Sequence, residues 1–331
     1  RHAEAMLLPQ LVRHDIELVG VCDINRSAAE KVGQRYGVKH VATDFAELLA
    51  LPNIDIAGMA AGPVQHRDLS IAALRRGLHV FMEKPCGASA ADARAIADAA
   101  HAAKCTVGVG FMKRYATANR IAHNIVRSAA FGPTIGFFGE YMTAPTYFQG
   151  AADYTPFFLH HCVHYMDLPR YFVGAPIESV TVFPREHAPG KLLLHVHLGF
   201  TSGAVGTVIM GTLQSRGTPM ERLQIMGDHQ RVEVDGVFEV RHHRNPPFKA
   251  DDPQATLADG VDTLAWKPNL TAAANEDFKG YNALFGAFLA TLDGQTTDLP
   301  TIDDGVAAMQ VLEAMVAGVA APGVTQRVAR D

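Results

Sequence analysis

The first 111 residues alternate short apolar runs with helix-patterned stretches, and this alternation constrains the fold more than any other feature. "IELVGVCD" (16–23), "IDIAGMAAGP" (54–63), "LHVFME" (78–83) and "CTVGVGF" (105–111) are apolar along both faces. Strands of that kind are buried on both sides, as in a parallel sheet covered by helices. Between them lie "NRSAAEKVGQRYG" (25–37), "HRDLSIAALRRG" (66–77) and "SAADARAIADAAHAAK" (89–104). The first two end on glycine stops and the third opens on Ser89 as its cap. The opening "RHAEAMLLPQLVRH" also reads as helix.

From about Gly132 the pattern changes. "TIGFFGEYMT" (134–143), "IESVTVFP" (177–184), "LLLHVHLGF" (192–200), "GAVGTVIMGTLQ" (203–214), "ERLQIMG" (221–227) and "QRVEVDGVFEVRHH" (230–243) follow with few helices between them. Many alternate polar and apolar residues, as half-buried antiparallel strands do. One helix, 160–174, interrupts them, "NPPFKADDPQATLADG" (245–260) reads as a loop, and two helices near 276–293 and 303–320 close the chain. At 331 residues the chain is long for one domain. The expected division is an α/β Rossmann-like domain over 1–131 and an α+β domain with an open, largely antiparallel sheet over 132–331, the closing helices packing back on the first.

Charge excludes some functions. With 29 basic and 34 acidic residues and no basic block, nothing suggests a nucleic-acid partner. No apolar run reaches the ~20 residues of a membrane span. Cys22, Cys86, Cys105 and Cys162 form no C-x-x-C pair and no dense framework, which points to a reducing cytoplasm.

A parallel sheet binds ligands outside the carboxyl ends of its strands. Asp23 ends the run 16–23 at such a place. An acid there accepts hydrogen bonds from adenosine ribose hydroxyls and repels an added phosphate, so NAD is expected over NADP. Arg26 nearby softens that preference and leaves NADP open. A simple loop or helix cap is the alternative role for Asp23. The glycine-rich turn that should come about 20 residues before the acid is not in the sequence. The expectation is that the first strand and this turn precede Arg1.

The stretch "VFMEKPCG" (80–87) ends an apolar strand in an acid, a base and a proline. Together with "IELVGVCDINRSAAEKVGQRYG", "IDIAGMAAGPVQHRDLSIAALRRGLHVFMEKP", "HHCVHYMDLPRYF" and the closing "DLPTIDDGVAAMQVLEAM", it resembles the Gfo/Idh/MocA oxidoreductases along essentially the whole chain. The resemblance implies an NAD(P)-binding Rossmann domain and a C-terminal domain whose open sheet carries the substrate and often the oligomer contact. It implies a hydride transfer between nicotinamide and a sugar, cyclitol or related polyol.

On that resemblance Lys84 projects into the crevice between the domains, where a cation stabilises alkoxide character on the substrate. Glu83 pairs with a backbone or basic partner and fixes the loop, and Pro85 permits a cis Lys84–Pro85 bond. A turn holding a solvated ion pair is the alternative. The family's Asp-x-x-x-His-x-x-Asp spacing falls here on His160, His164 and Asp167. His164 would take the hydroxyl proton, its ordinary pKa near ~6.5 suiting reversible transfer. Asp167 would orient the helix or imidazole, or touch substrate. His160 stands where the family frequently has an acid; it can bond substrate and is the rival base. Pro63 and His66 are cofactor-pocket candidates, with Asp23, Arg26, Glu83 and Lys84. Arg114 could contact substrate or join the domains, and Lys113 is expected to be solvated. Tyr141, Tyr154 and Phe157 shape the substrate pocket or belong to the core.

His160, His161 and His164 also invite a zinc reading, but no third ligand follows from spacing and no H-E-x-x-H is present, so no metal is expected. Two other functions stay open: a glycoside elimination or hydrolysis using NAD catalytically, and a non-catalytic NAD- or sugar-binding sensor. A homodimer or homotetramer is expected through the open sheet, since "GAVGTVIMGTLQ" is more apolar than a solvated face tolerates.

Overall fold

The computed structural model describes residues 2–145, 148, 150, 153–214, 221–244, 263–269 and 277–329. The chain forms two compact units: Arg1–Phe111 with Tyr281–Val306, and Met112–Gly280 with Ala307–Asp331.

The first unit opens with a π-helical turn, Ala3–Leu7, running into α1 (Leu8–Leu11). Then come β1 (Gly20–Cys22), α2 (Arg26–Tyr36), β2 (His40–Ala42), α3 (Phe45–Leu49), β3 (Ile56–Met59), α4 (Pro63–Arg75), β4 (His79–Met82), α5 (Ala90–Ala103) and β5 (Val107–Val109). Every strand pair is parallel, as the double-sided apolar runs require. The strands form two sheets, β1–β2 and β3–β4–β5. Helix ends follow their local chemistry. Asn25 accepts from the Ala28 N–H at the start of α2, Ser89 accepts from the Asp92 N–H at the start of α5, and Gly37 closes α2 at φ +68°.

The helix Tyr281–Leu292 belongs to this unit through Phe285 and Phe288. Their rings lie 4.2 and 5.6 Å from that of Phe81 on β4. Gly108 on β5 makes room, since a Cβ there would come within 2.7 Å of the Phe288 ring. The Pro300 carbonyl then accepts from the Val109 N–H at 2.8 Å.

The second unit starts with a 3₁₀ turn, Met112–Tyr115, and continues with α6 (Thr117–Val126), β6 (Gly136–Met142), α7 (Thr155–Phe157) and α8 (Val163–Val173). A π-helical stretch, Phe158–Cys162, joins the last two. Strands β7 (Ile177–Ala188), β8 (Lys191–Phe200), β9 (Val205–Gly211), β10 (Glu221–Met226), β11 (Arg231–Asp235), β12 (Glu239–His243), β13 (Thr263–Trp266) and β14 (Gln326–Arg327) follow. With β6 they build one nine-stranded sheet in the order β13-β12-β11-β10-β6-β9-β8-β7-β14. All its pairs are antiparallel except β6–β9. The run 230–243 is thus two strands, folded at Asp235–Glu239. The expected loop at 245–260 lies outside the described residues.

One face of this sheet is closed by helices. Gly139 on β6 lets Tyr165 of α8 approach, the ring lying 3.3 Å from where a Cβ would stand. The tail of the helix Ile302–Ala320 lies on β7, with Gly318 against Val182. Val208 and Met210 of β9 point to this closed face and are buried. Half of the apolar residues that made "GAVGTVIMGTLQ" look sticky are therefore core. The other face retains Val205 and Phe183, both more than half exposed. Among the described residues no helix is long and apolar enough to cross a membrane. The four cysteines are free thiols.

Candidate active site

In the first unit the chemistry gathers where β3 and β4 end. The Glu83 N–H makes the last ladder bond of β4, to the Met59 carbonyl at 2.8 Å. Lys84 follows, half-buried, and the Lys84–Pro85 bond is cis. The Glu83 carboxylate is buried, with Oε1 3.4 Å from His2 Nε2, and Gly110 supplies its space, since a Cβ there would come within 2.9 Å. Beyond Pro85 the chain turns at Gly87 (φ +127°), where a Cβ would also collide with Asp92. Asp92 Oδ2 accepts from the Ala88 N–H at 3.0 Å, so the far end of the turn is fastened to α5.

His66 stands behind this turn on the first coil of α4, three residues after Pro63, which opens the helix. It is 1% exposed. Its Nδ1 lies 2.7 Å from the Pro85 carbonyl, and its Nε2 accepts from the Ala61 N–H at 3.2 Å. An acceptor at Nε2 requires the proton on Nδ1, which fixes the neutral tautomer. Burial, aided by the charge of Lys84, holds the imidazole below its ordinary pKa; the Pro85 carbonyl and Glu83 oppose this.

At the end of β1, Asp23 is exposed and accepts from the Asn25 N–H at 2.9 Å. Arg26 is paired with Glu30 at 2.9 Å along α2. Ile24, beside Asp23, is 96% exposed, and Val64 on the first turn of α4 is 68% exposed. Asp23 and Ile24 follow the carboxyl end of β1 and Val64 follows that of β3, the ends at which a parallel sheet binds its ligands.

In the second unit Arg114 and Asp167, both expected at the substrate, are joined to each other. Arg114 Nε donates to Asp167 Oδ2 at 2.8 Å and its Nη2 donates to Oδ1, a buried two-pronged pair. The guanidinium also sits 5.1 Å above the Tyr171 ring. The pair ties the Met112–Tyr115 turn to α8. Removing one partner of such a pair leaves a buried charge uncompensated. Arg114→Ala is accordingly expected to lower unfolding free energy by about 3–5 kcal/mol in urea titrations; an unchanged midpoint would mean that the pair adds nothing.

His164 is 5% exposed on α8, whereas His160 is exposed in the π-helical stretch. The spacing of an ordinary helix would give both one environment; the widened turn between them does not. His161 is tied to the sheet, its Nδ1 2.8 Å from the Tyr141 hydroxyl. Lys113 corrects its expectation of solvation: it is 8% exposed, bonded to Glu221, with its ammonium 5.3 Å from the Tyr141 ring centre and 5.8 Å from that of Tyr165. Nothing local in the sequence marks Glu221 as a partner of Lys113. Phe157 is core, against Phe148 and His161. Tyr154 donates to Glu186 at 2.7 Å, and its hydroxyl is pushed up to about 12, first by burial and then by that carboxylate. Among the described residues no group of three or more His, Cys, Asp and Glu side chains could hold a metal ion.

Residues 1–111 match the family described as "Oxidoreductase family, NAD-binding Rossmann fold", and residues 149–320 match its "C-terminal alpha/beta domain". The inositol 2-dehydrogenase of Salmonella typhimurium is 28% identical over 177 residues, so the chain spans about half the length of this relative (51%) and matches over 52% of its own. The scyllo-inositol 2-dehydrogenase (NAD(+)) of Bacillus subtilis is 28% identical over 68% of each chain. The inositol 2-dehydrogenase of Rubrobacter xylanophilus is 26% identical over 91% of this chain and 82% of its own. In fold, a dehydrogenase from Chromobacterium violaceum superposes with a TM-score of 0.84 at 22% identity, over 97% of this chain and 93% of the other. A levoglucosan dehydrogenase in complex with NADH and L-sorbose superposes at 0.79 and 18% identity, over 95% and 90%. The fold and the resemblance read from the strand-end residues agree with these matches: the chain belongs to the Gfo/Idh/MocA oxidoreductase family, whose N-terminal domain is an NAD-binding Rossmann fold.

Proposed function

We propose that this chain is an NAD-dependent oxidoreductase that oxidises a hydroxyl-bearing carbon of a cyclitol, sugar or related polyol. The observation that carries the reading is the Glu83-Lys84-cis-Pro85 turn at the end of β4, in a chain of this family. The inositol and scyllo-inositol dehydrogenases among its relatives support the substrate class.

NAD, when bound, supplies the hydride acceptor. Asp23 holds the adenosine ribose, with Ile24 and Val64 against the base. Lys84 offers its ammonium to the substrate oxygen and lowers the cost of alkoxide character there. His164 takes the hydroxyl proton, with His160 as the rival for that part. Arg114 and Asp167 act one step back, fixing the helix that carries His164. Tyr141 is a substrate-site residue in this reading, oriented by His161.

NADH formation across a panel of cyclitols and sugars tests the proposal. Turnover with at least one supports it; tight NAD binding with none would favour a sensor. Because Asp23 meets an added ribose phosphate with like charge while Arg26 is engaged by Glu30, kcat/KM is expected to be higher with NAD than with NADP. A strong NADP preference would contradict this assignment of Asp23.

The open face of the nine-stranded sheet is the proposed contact of a homodimer or homotetramer, given exposed Val205 and Phe183. Sedimentation at micromolar concentration is expected to show an assembly that Val205→Glu weakens; a monomer throughout would contradict it.

A further inference from the structure

We propose that His66 is a positioning residue that sets the ammonium of Lys84 by holding the carbonyl of Pro85. The proposal rests on the reading of Lys84 given above, and goes beyond it in naming what keeps that lysine in place.

The need for such a holder follows from the chain itself. The β4 ladder stops at the Glu83 N–H. Pro85 has no N–H, so the turn after Lys84 cannot be anchored through a donor of its own at that residue. Its carbonyl is the remaining main-chain handle, and His66 Nδ1 takes it at 2.7 Å. The same ring accepts from the Ala61 N–H at 3.2 Å, just before the glycine that caps α4. One buried imidazole thus links the loop after β3 to the loop after β4. Both loops follow carboxyl ends of parallel strands, the side on which such a sheet binds its ligands.

The geometry explains the choice of residue. The link needs a donor and an acceptor on opposite sides of one rigid ring, which a neutral imidazole supplies. The far end of the turn is secured independently, by the Ala88 N–H to Asp92 and by the approach of Asp92 to Gly87. Arg67, next to His66 on α4, has Nε 3.7 Å from the other Asp92 oxygen. Residues 84–88 are therefore pinned from α4 at the near end and from α5 at the far end. Loss of His66 removes the tie at the near end, next to Lys84, and leaves the far one in place.

The test uses the full chain and three variants. His66→Leu removes both bonds. His66→Asn keeps a donor near the Nδ1 position, and His66→Gln carries its amide out toward the Nε2 position. Lysines are converted to ¹³C-dimethyl-lysine, and the Lys84 resonance is assigned by its loss in Lys84→Arg. NADH formation and NAD affinity are measured beside it. Misplacing a reacting group by an ångström costs on the order of 10²-fold in rate. His66→Leu is expected to shift the Lys84 resonance and lower kcat ~10²-fold, and His66→Asn to restore most of both. A folded His66→Leu protein with wild-type resonance and kcat would overturn the proposal. Should His66→Leu not fold, the amide pair decides: wild-type behaviour in Asn with a shifted Lys84 in Gln supports the clamp, and identical behaviour of the two overturns it. If the wild-type chain turns over no polyol, the functional reading fails, while the Lys84 resonance still answers for His66.

Discussion

Lys84→Ala is expected to lower turnover by ~10²–10³-fold while leaving the protein folded. The side chain is half-buried at the tip of β4, and the fold beneath it is carried by other residues: Val80, Phe81 and Met82 are all in the core. The loss should fall on kcat rather than on NAD affinity, because the proposed work of the ammonium is done only as charge develops on the substrate oxygen. Lys84→Arg should recover little, since a planar guanidinium does not replace a compact point charge. Steady-state rates and a thermal melt on the same preparation check this. Near-normal turnover in a folded Lys84→Ala protein would remove the residue from the mechanism.

The second large effect concerns His164. His164→Asn keeps a hydrogen-bonding side chain but cannot carry the proton, and a ~10²–10⁴-fold loss of turnover is expected. In the direction of alcohol oxidation the neutral imidazole is the competent form. The wild-type rate should rise with pH through one ionisation, and that step should vanish in the variant. The surroundings make the alternative concrete: His164 is nearly buried on α8, beside Tyr165 and Asp167, so a purely structural role would appear as a lowered melting temperature with little change in the pH profile. His160→Asn is the necessary companion. It is exposed, so its replacement should be tolerated by the fold, and abolition of turnover there with survival in His164→Asn would exchange the two roles.

The parallel strands and the helices between them were legible because each carries its own boundary. Gly37 stops α2 and Ser89 starts α5. β2 and α3 were missed because three and five residues are too short to show a period. Their one signal was the Asp44–Glu47 capping box, which the structure contains. β11 and β12 were read as one run although Asp235-Gly236 sits between them. The turn also forces Val237 to φ +71°, a conformation that a β-branched residue rarely signals. The closing helices were expected on the first domain, but the partners of the helix Tyr281–Leu292 were not legible: Phe285 and Phe288 meet Phe81 across about 200 residues, a fit without a local pattern.

The site was legible where its chemistry is local, as in Glu83-Lys84-Pro85 and in the histidine spacing around His164. What escaped were pairings across the chain. Lys113 and Glu221 are 108 residues apart and Arg114 and Asp167 are 53 apart, and in each case only folding shows that the charge is already matched. The link from His66 to Pro85 is of the same kind, a side chain to a carbonyl 19 residues on.

The most direct measurement follows the hydrogen itself. With the best polyol of the panel deuterated at its hydroxyl-bearing carbon, the account predicts that deuterium appears on the nicotinamide of the reduced cofactor, one for each ketone formed. Lys84→Ala and His164→Asn should bind NAD and transfer almost none. Consumption of substrate with no net reduced cofactor would instead mark catalytic use of NAD in an elimination or hydrolysis. Reduced cofactor without deuterium would contradict hydride transfer from that carbon.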